Sequence, residues 1–391
     1  MKGCVCISDV KLETVDGFNV LSALIDEDRI YLSVPEQFEL VLSVEYFVGI
    51  ALLEAMARNE PIEIQSSVPL SFQLHEQLKE LQSIYASWNT DLNIIDIRAE
   101  TSDNVNNNTK VGSFFSAGVD SSHTLLCHKD EITHLLMCRS FDQGRDQVSW
   151  DSRVLQQTAF AASLGKTLVP IETNVREWMI KRKISWHFGH GLLLCSMGGA
   201  IGMKKLFVPS SFTYDALFPW GSHPLSDPMW STESTLVIHH GASHRRTEKT
   251  KEILSDERIA NNLQVCWASI HENCGKCSKC IRSMTAIYLL EGEILSLAKL
   301  DDIDSLKIMR PTSEGAADAV KDLMILARQV DNNEVYKTLN RYYRRYQISH
   351  TLAAVDRYLL NGLLRKLHRK IKPPEWVSWR VTLRSPSHGD I

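Results

Sequence analysis

Residues 111–126, VGSFFSAGVDSSHTLL, run from an apolar stretch into a turn of small residues and on into a helical pattern. Val111, Phe114 and Phe115 read as the end of a buried strand, and Ser116-Ala117-Gly118 let the backbone bend closely. Asp120-Ser121-Ser122 are cap residues for the helix that carries Thr124, Leu125 and Leu126. A strand that ends in small residues at a helix N-terminus presents unpaired N–H groups at the positive end of the helix dipole. That arrangement suits an anion, most readily a phosphate. An ordinary βα turn has the same composition and needs no ligand. No Gly-Lys-Ser/Thr follows, so this is not a Walker A loop, and the three glycines of the dinucleotide fingerprint are missing.

The surrounding pattern sets the turn in an α/β domain. Apolar strand candidates at 111–116, 132–138, 167–172, 205–209, 235–239 and 263–267 alternate with helical stretches at 151–164, 191–204 and 246–255. Alternation of this kind predicts a mostly parallel sheet, whose ligands bind beyond the carboxyl ends of the strands. Upstream, LVLSVEYFVGIALLEAMA (41–58) and FQLHEQLKELQSIYASW (72–88) read as amphipathic helices, flanked by the strand-like PIEI and LNIIDIRA. The polar TSDNVNNNTK (101–110) marks a boundary. After 292 strand signals fade into helical stretches that Pro373-Pro374 end. The expected organisation is a small α+β unit over 1–105, an α/β domain over 110–292 and a helical region over 293–391.

With 391 residues, 44% hydrophobic and 23% charged, the chain has the composition of a soluble globular protein of two or three domains. A net charge of −4 gives no global pull toward nucleic acid or membrane. No apolar run reaches the roughly 18 to 20 residues that span a bilayer, and MKGCVCISDVKLE lacks the apolar core of a signal peptide; the expectation is a cytoplasmic protein. Nine cysteines, an odd number, argue against a disulfide scaffold.

Four of those cysteines fall in VCWASIHENCGKCSKCIRS. Cys274, Cys277 and Cys280 form two overlapping Cys-x-x-Cys steps, Gly275 permits the tight knuckle, and Cys266, at the end of a predicted strand, can return as a fourth ligand. His271 is an alternative fourth ligand, and an iron–sulfur cluster is the alternative to zinc. A closed four-sulfur site leaves no open position and is structural.

The turn resembles the SGGxDS loop of the PP-loop ATP pyrophosphatases, with Ala117 where that family usually has its first Gly. An Ala there is tolerated only if φ is negative. An SGGxDS-like loop on the first strand, followed about 145 residues later by Cys-x(7)-Cys-x(2)-Cys-x(2)-Cys and Arg282, is similar to 7-cyano-7-deazaguanine synthases over residues 110–290. The resemblance implies that Ser116, Ala117, Gly118, Val119, Asp120, Ser121 and Ser122 hold ATP with Mg²⁺, and that Cys266, Cys274, Cys277 and Cys280 hold Zn²⁺. It implies adenylation of a carboxyl or carbonyl oxygen with release of pyrophosphate, followed by displacement of AMP. Sulfur transfer needs a persulfide cysteine, for which only Cys127 and Cys138 offer themselves, so nitrogen transfer is favoured. Asp120 and Ser121 are the catalytic candidates in the turn, Asp120 as a loop-shaping cap or metal contact.

Residues 210–234, SSFTYDALFPWGSHPLSDPMWSTES, form a long non-periodic stretch after a strand, rich in aromatics and prolines. Loops of that length are usually functional, and Tyr214, Trp220, Ser222, His223, Asp227, Trp230 and Glu233 are its candidate substrate contacts; a structural Ω-loop is the other reading. Arg245, Arg246 and Lys249 open a helix, where cations oppose the dipole and invite an anion; Arg246 and Lys249 join the catalytic candidates, and Arg139 is a weaker one. In HFGHGLLLCSMGG (187–199) close helix packing explains the glycines and a surface position the histidines.

The acceptor is open: a small molecule, a nucleobase or a peptide. A second reading is an RNA-binding, tRNA-modifying enzyme, since residues 341–372 hold nine Lys or Arg against Asp356 alone, interleaved with four tyrosines. A third is a catalytically degenerate nucleotide-binding scaffold. A homodimer is the expected assembly.

Overall fold

The computed structural model describes residues 3–139, 147–269 and 272–359. These form two compact units, one ending at His244 and one beginning at Arg245.

The first unit opens with an antiparallel meander, β1 (Val5–Val15), β2 (Phe18–Ile25) and β3 (Asp28–Pro35). Its pattern is a half-buried sheet with a period of two: Leu21, Ala23 and Ile25 alternate inward on β2, and Ile30, Leu32 and Val34 on β3. Then come α1 (Glu45–Arg58), β4 (Ile62–Gln65), β5 (Leu70–Ser71), α2 (Phe72–Trp88), β6 (Ile97–Arg98) and β7 (Thr101–Ser102). Every residue of α1 from Tyr46 to Met56 is buried, so this helix is enclosed rather than amphipathic.

The parallel part follows as β8 (Lys110–Phe114), α3 (Val119–Cys127), β9 (His134–Cys138), α4 (Gln147–Ser163), β10 (Thr167–Thr173), α5 (Val175–Arg182), α6 (Trp186–Ala200), β11 (Met203–Pro209) and β12 (Leu236–His240). Leu135, Leu136 and Met137 are consecutive and all buried, as in a strand covered on both faces. From β10 the strands run β10-β9-β8-β11-β12, all parallel, so the chain order reverses between β8 and β11. On its other side β10 pairs antiparallel with β3, which joins the meander, β4 and β6 to the same ten-stranded sheet. One hydrophobic core contains Val5, Phe47, Phe114, Leu136, Leu193 and Val237 together. The polar 101–110 stretch therefore lies within one unit.

α6 packs against α1. Gly199 faces open space, whereas Gly189, Gly191 and Gly198 serve close approach: a Cβ on Gly191 would lie 1.9 Å from the Gly221 carbonyl oxygen. That contact is sealed by the Gly221 N–H donating to the His187 carbonyl at 2.7 Å.

The second unit holds α7 (Arg246–Ile253), α8 (Glu257–Asn261), α9 (Ser278–Leu289), a 3₁₀ turn at Ile303–Met309, α10 (Glu314–Gln329) and α11 (Asn333–Leu359). α7 and α10 are tied by Asp322, which accepts from the Thr247 amide at 3.0 Å and hydroxyl at 2.6 Å. The strand expected at 263–267 does not form: the Val265 and Cys266 amides donate to Asn273 Oδ1 instead of to a neighbouring strand. Pro373-Pro374, and residues 360–372 of the basic stretch, lie outside the described residues. Among the described residues no helix is long and apolar enough to cross a membrane.

Candidate functional site

β8 ends at Phe114, and α3 begins at Val119 with Gly118 as its N-cap. The turn between them is closed by its own serines. The Ser116 amide donates to Ser121 Oγ at 3.2 Å, Ser121 Oγ donates to the Gly118 carbonyl at 3.1 Å, and the Gly118 amide donates to Ser116 Oγ at 3.4 Å. Ala117 is fully buried with φ +56°, in the left-handed region, against the negative φ expected for alanine. The bonds on either side fix the backbone there, at a cost of about 1–2 kcal/mol for a residue with a Cβ. The Val119, Asp120 and Ser121 amides stand in the first turn of α3, where a helix supplies no internal acceptor. Ser122 differs from the expectation: it is buried and its amide donates to the Gly118 carbonyl at 2.9 Å, so it belongs to the helix.

The turn stands at the carboxyl end of β8, on the side of the order reversal, where α/β sheets bind ligands. Residues 210–234 leave from the carboxyl end of β11, the neighbouring strand across that reversal.

Much of the 210–234 segment is engaged internally. Asp227, 1% exposed, accepts from Ser222 Oγ at 2.7 Å and from the His223 amide at 3.0 Å, and pairs with His239 Nδ1 at 2.7 Å. His223 is buried with its ring 5.0 Å from that of Trp88, and its Nδ1 accepts the Leu225 amide at 3.1 Å. Burial, ahead of the opposing Asp227 charge, holds the His223 ring below the usual histidine range. Trp230 is a buried core residue, and Glu233 accepts from Ser71 Oγ and the Gln73 amide at the start of α2. Of the seven candidates, Tyr214 is exposed, and Trp220, Ser222 and Glu233 keep part of their surface. Trp220 stands in an aromatic group with Phe212, Phe218, His187 and His190.

The basic candidates divide. Arg246 and Lys249 open α7, in the second unit. Arg139 pairs with Glu172 at 2.8 Å.

In the second unit the ligand atoms of Cys266, Cys274, Cys277 and Cys280 all lie within 4.8 Å of one another. Cys266 and Cys277 sulfurs are 3.9 Å apart and those of Cys274 and Cys280 4.0 Å. A tetrahedral ion with metal–sulfur bonds of about 2.3 Å needs edges of about 3.8 Å, so the group can hold a metal ion. Gly275, at φ +67°, makes the knuckle, and the Lys276 and Cys277 amides donate to Cys274 Sγ at 3.4 Å. The Ala268 and Ser269 amides do the same for Cys266 at 3.3 Å, and the Cys280 amide for Cys277 at 3.5 Å. Amide donors of this kind favour thiolates. The Lys276 amide, ahead of that of Cys277, lowers the Cys274 thiol to about 7, while burial raises Cys280. Cys266 takes the fourth place; His271 lies outside the described residues.

Asn273 was not singled out by the sequence. Its Oδ1 accepts from the Val265 and Cys266 amides, and its Nδ2 donates to the Leu263 and Ser296 carbonyls at 2.9 and 2.7 Å, fastening the knuckle to two flanking segments. An Asn directly before a Cys-Gly knuckle is the one signal that pointed to it. Arg153 was missed as well, although it interrupts the inward stripe of α4 made by Trp150, Gln157 and Ala161. Compared with known proteins, the chain matches no family model, no curated protein and no solved structure.

Proposed function

We propose that the chain is an ATP pyrophosphatase of the PP-loop type that adenylates a carboxyl or carbonyl oxygen of an acceptor and then forms a C–N bond. The observation that carries this reading is the place of the 116–121 turn: a serine-closed loop at a helix N-terminus, on the strand where the order of a parallel sheet reverses.

The amides of Val119, Asp120 and Ser121 would donate to phosphate oxygens, aided by the dipole of α3, and the Ser116 and Ser121 hydroxyls would orient them. Attack of the acceptor oxygen on the α-phosphorus breaks the α–β bond and releases pyrophosphate. An amine then displaces AMP from the activated carbon. The protein's share is positioning and neutralising charge. Mg²⁺ would supply further neutralisation, with Asp120 at the helix start as the residue placed to meet it. The exposed Tyr214 and the half-buried Trp220, in the segment that follows β11, would offer aromatic surface to a planar acceptor. Zn²⁺ would fill the four-cysteine group, closing the loop before α9 and taking no part in the chemistry.

The test is the product. Incubation with ATP and pools of carboxylic acids should release AMP and pyrophosphate, slowly alone and faster with the right acceptor. ADP and phosphate as main products would overturn the mechanism, and tight ATP binding with no turnover under any acceptor would favour a non-catalytic nucleotide-binding subunit.

A further inference from the structure

Arg153 sits inside the first unit beneath the 116–121 turn. α4 is fastened there by Phe160, whose ring stacks on that of Phe115 with centroids 5.6 Å apart and planes 10° from parallel. Two turns earlier on the helix, Arg153 is 5% exposed and donates from Nη2 to the Ser116 carbonyl at 3.1 Å. Its Nη1, carried on the same carbon, is buried and has no hydrogen-bond partner. No acidic residue among the described residues pairs with it. A guanidinium is an unusual choice for an inward helix position, and a buried cation without an anion is costly. Burial alone lowers its pKa to about 10, so it stays charged at neutral pH.

The turn offers the missing partner. Ser116, whose carbonyl Arg153 holds, is exposed, and its neighbours Val119 to Ser121 present the first-turn amides of α3. Two independent features, a helix N-terminus and a buried guanidinium with an unused donor, converge on one loop. Arginine suits this task because its planar fork can hold a carbonyl with one nitrogen and a phosphate oxygen with the other.

We propose that Arg153 is a binding residue of this site, bracing the turn through Ser116 and giving its second Nη and its charge to a polyphosphate seated on the α3 N-terminus. The inference rests on the nucleotide reading and deepens it by naming the cation that sequence comparison with SGGxDS loops would not supply. It also predicts the order of ligands. A group with several phosphates, ATP or free pyrophosphate, should depend on Arg153 more than inorganic phosphate does.

The experiment measures binding of ATP, pyrophosphate and inorganic phosphate to the full chain by calorimetry, for the unaltered protein, Arg153→Met and Arg153→Lys. Arg153→Met should weaken ATP and pyrophosphate about tenfold or more, the range of a charged hydrogen bond, and Arg153→Lys should fall between. Without ligand, Arg153→Met should melt no lower than the parent, because removing an unpaired buried charge relieves its desolvation. A lower melting point with unchanged affinity in the folded fraction would make Arg153 a brace only and overturn the proposal. Should Arg153→Met fail to fold, the arginine side-chain NMR signal that disappears in Arg153→Lys decides. It should shift when pyrophosphate is added to the parent, and an unmoved signal overturns the proposal. If the parent binds none of the three ligands, the nucleotide reading falls and this inference with it; if the parent binds and Arg153→Met binds equally, only the inference falls.

Discussion

Asp227 and His239 meet at 2.7 Å in the interior of the first unit, the carboxylate 1% and the imidazole 3% exposed. The same carboxylate accepts from Ser222 and from the His223 amide, so one buried charge gathers the turn at 222–227 onto β12. Asp227→Ala should cost about 3–5 kcal/mol, the loss incurred when one partner of a buried pair is removed. Chemical denaturation of the variant reads this directly, and a loss below about 1 kcal/mol would show that the pair does not hold the segment.

Ala117→Gly should raise stability by about 0.5–1 kcal/mol. The left-handed φ of Ala117 strains a residue with a Cβ and suits Gly, and the gain is trimmed by glycine's greater freedom in the unfolded chain. An unchanged or lower urea midpoint would mean that the turn is not left-handed at this position in solution.

Asn273→Ala should loosen the cysteine cluster without touching a ligand. It leaves two amides and two carbonyls without their partner, so metal affinity should fall about 10–100-fold while stoichiometry stays near one ion per chain. Cys277→Ser should abolish metal uptake and destabilise the fold, because site formation and folding are coupled. Competition with a zinc chelator separates the two variants; equal retention of zinc by Asn273→Ala and the parent would remove Asn273 from the site.

His223 gives the stability a pH dependence. Its ring is held neutral below the usual histidine range by burial, so the unfolded chain takes up a proton first. Stability from this group is complete above about pH 6.5 and is lost as the pH falls through the lowered value. Asn at 223 can accept the Leu225 amide as the ring does, without titrating. His223→Asn should therefore lose less stability than the parent between pH 7.5 and 5.5, measured by urea denaturation at both values. Parallel losses would show that other groups carry the acid sensitivity.

The legible part of the fold was the part written in local pattern. β8 to β12 announced themselves as short apolar runs between helical stretches, and the cysteine spacing brought Cys274, Cys277 and Cys280 together, with Cys266 as one of two fourth places. The meander β1 to β3 was legible but went unread: its strands alternate apolar and polar residues, and Asp16-Gly17, both at positive φ, is the two-residue hairpin signal between β1 and β2. The seeming strand at 263–267 failed for a tertiary reason, the side chain of Asn273 taking the place of a strand partner. The 210–234 segment misled in another way. Its polar residues look like ligands in sequence, yet Asp227 meets His239 on the strand that follows and Glu233 meets Ser71, 162 residues away, which no local pattern discloses.

The pairing of β10 with β3 has a consequence for how the chain tolerates cutting. Only Glu172 with Ser33 and Thr173 with Leu32 make the join, but they place a finished meander along what would otherwise be the open margin of the parallel sheet. Bare margins recruit other chains. A protein trimmed to start after residue 105 should therefore expose β10 and strip half the shared core. It should self-associate or precipitate rather than persist as a smaller folded protein, so residues 3–105 are a guard rail of the fold before they are anything else.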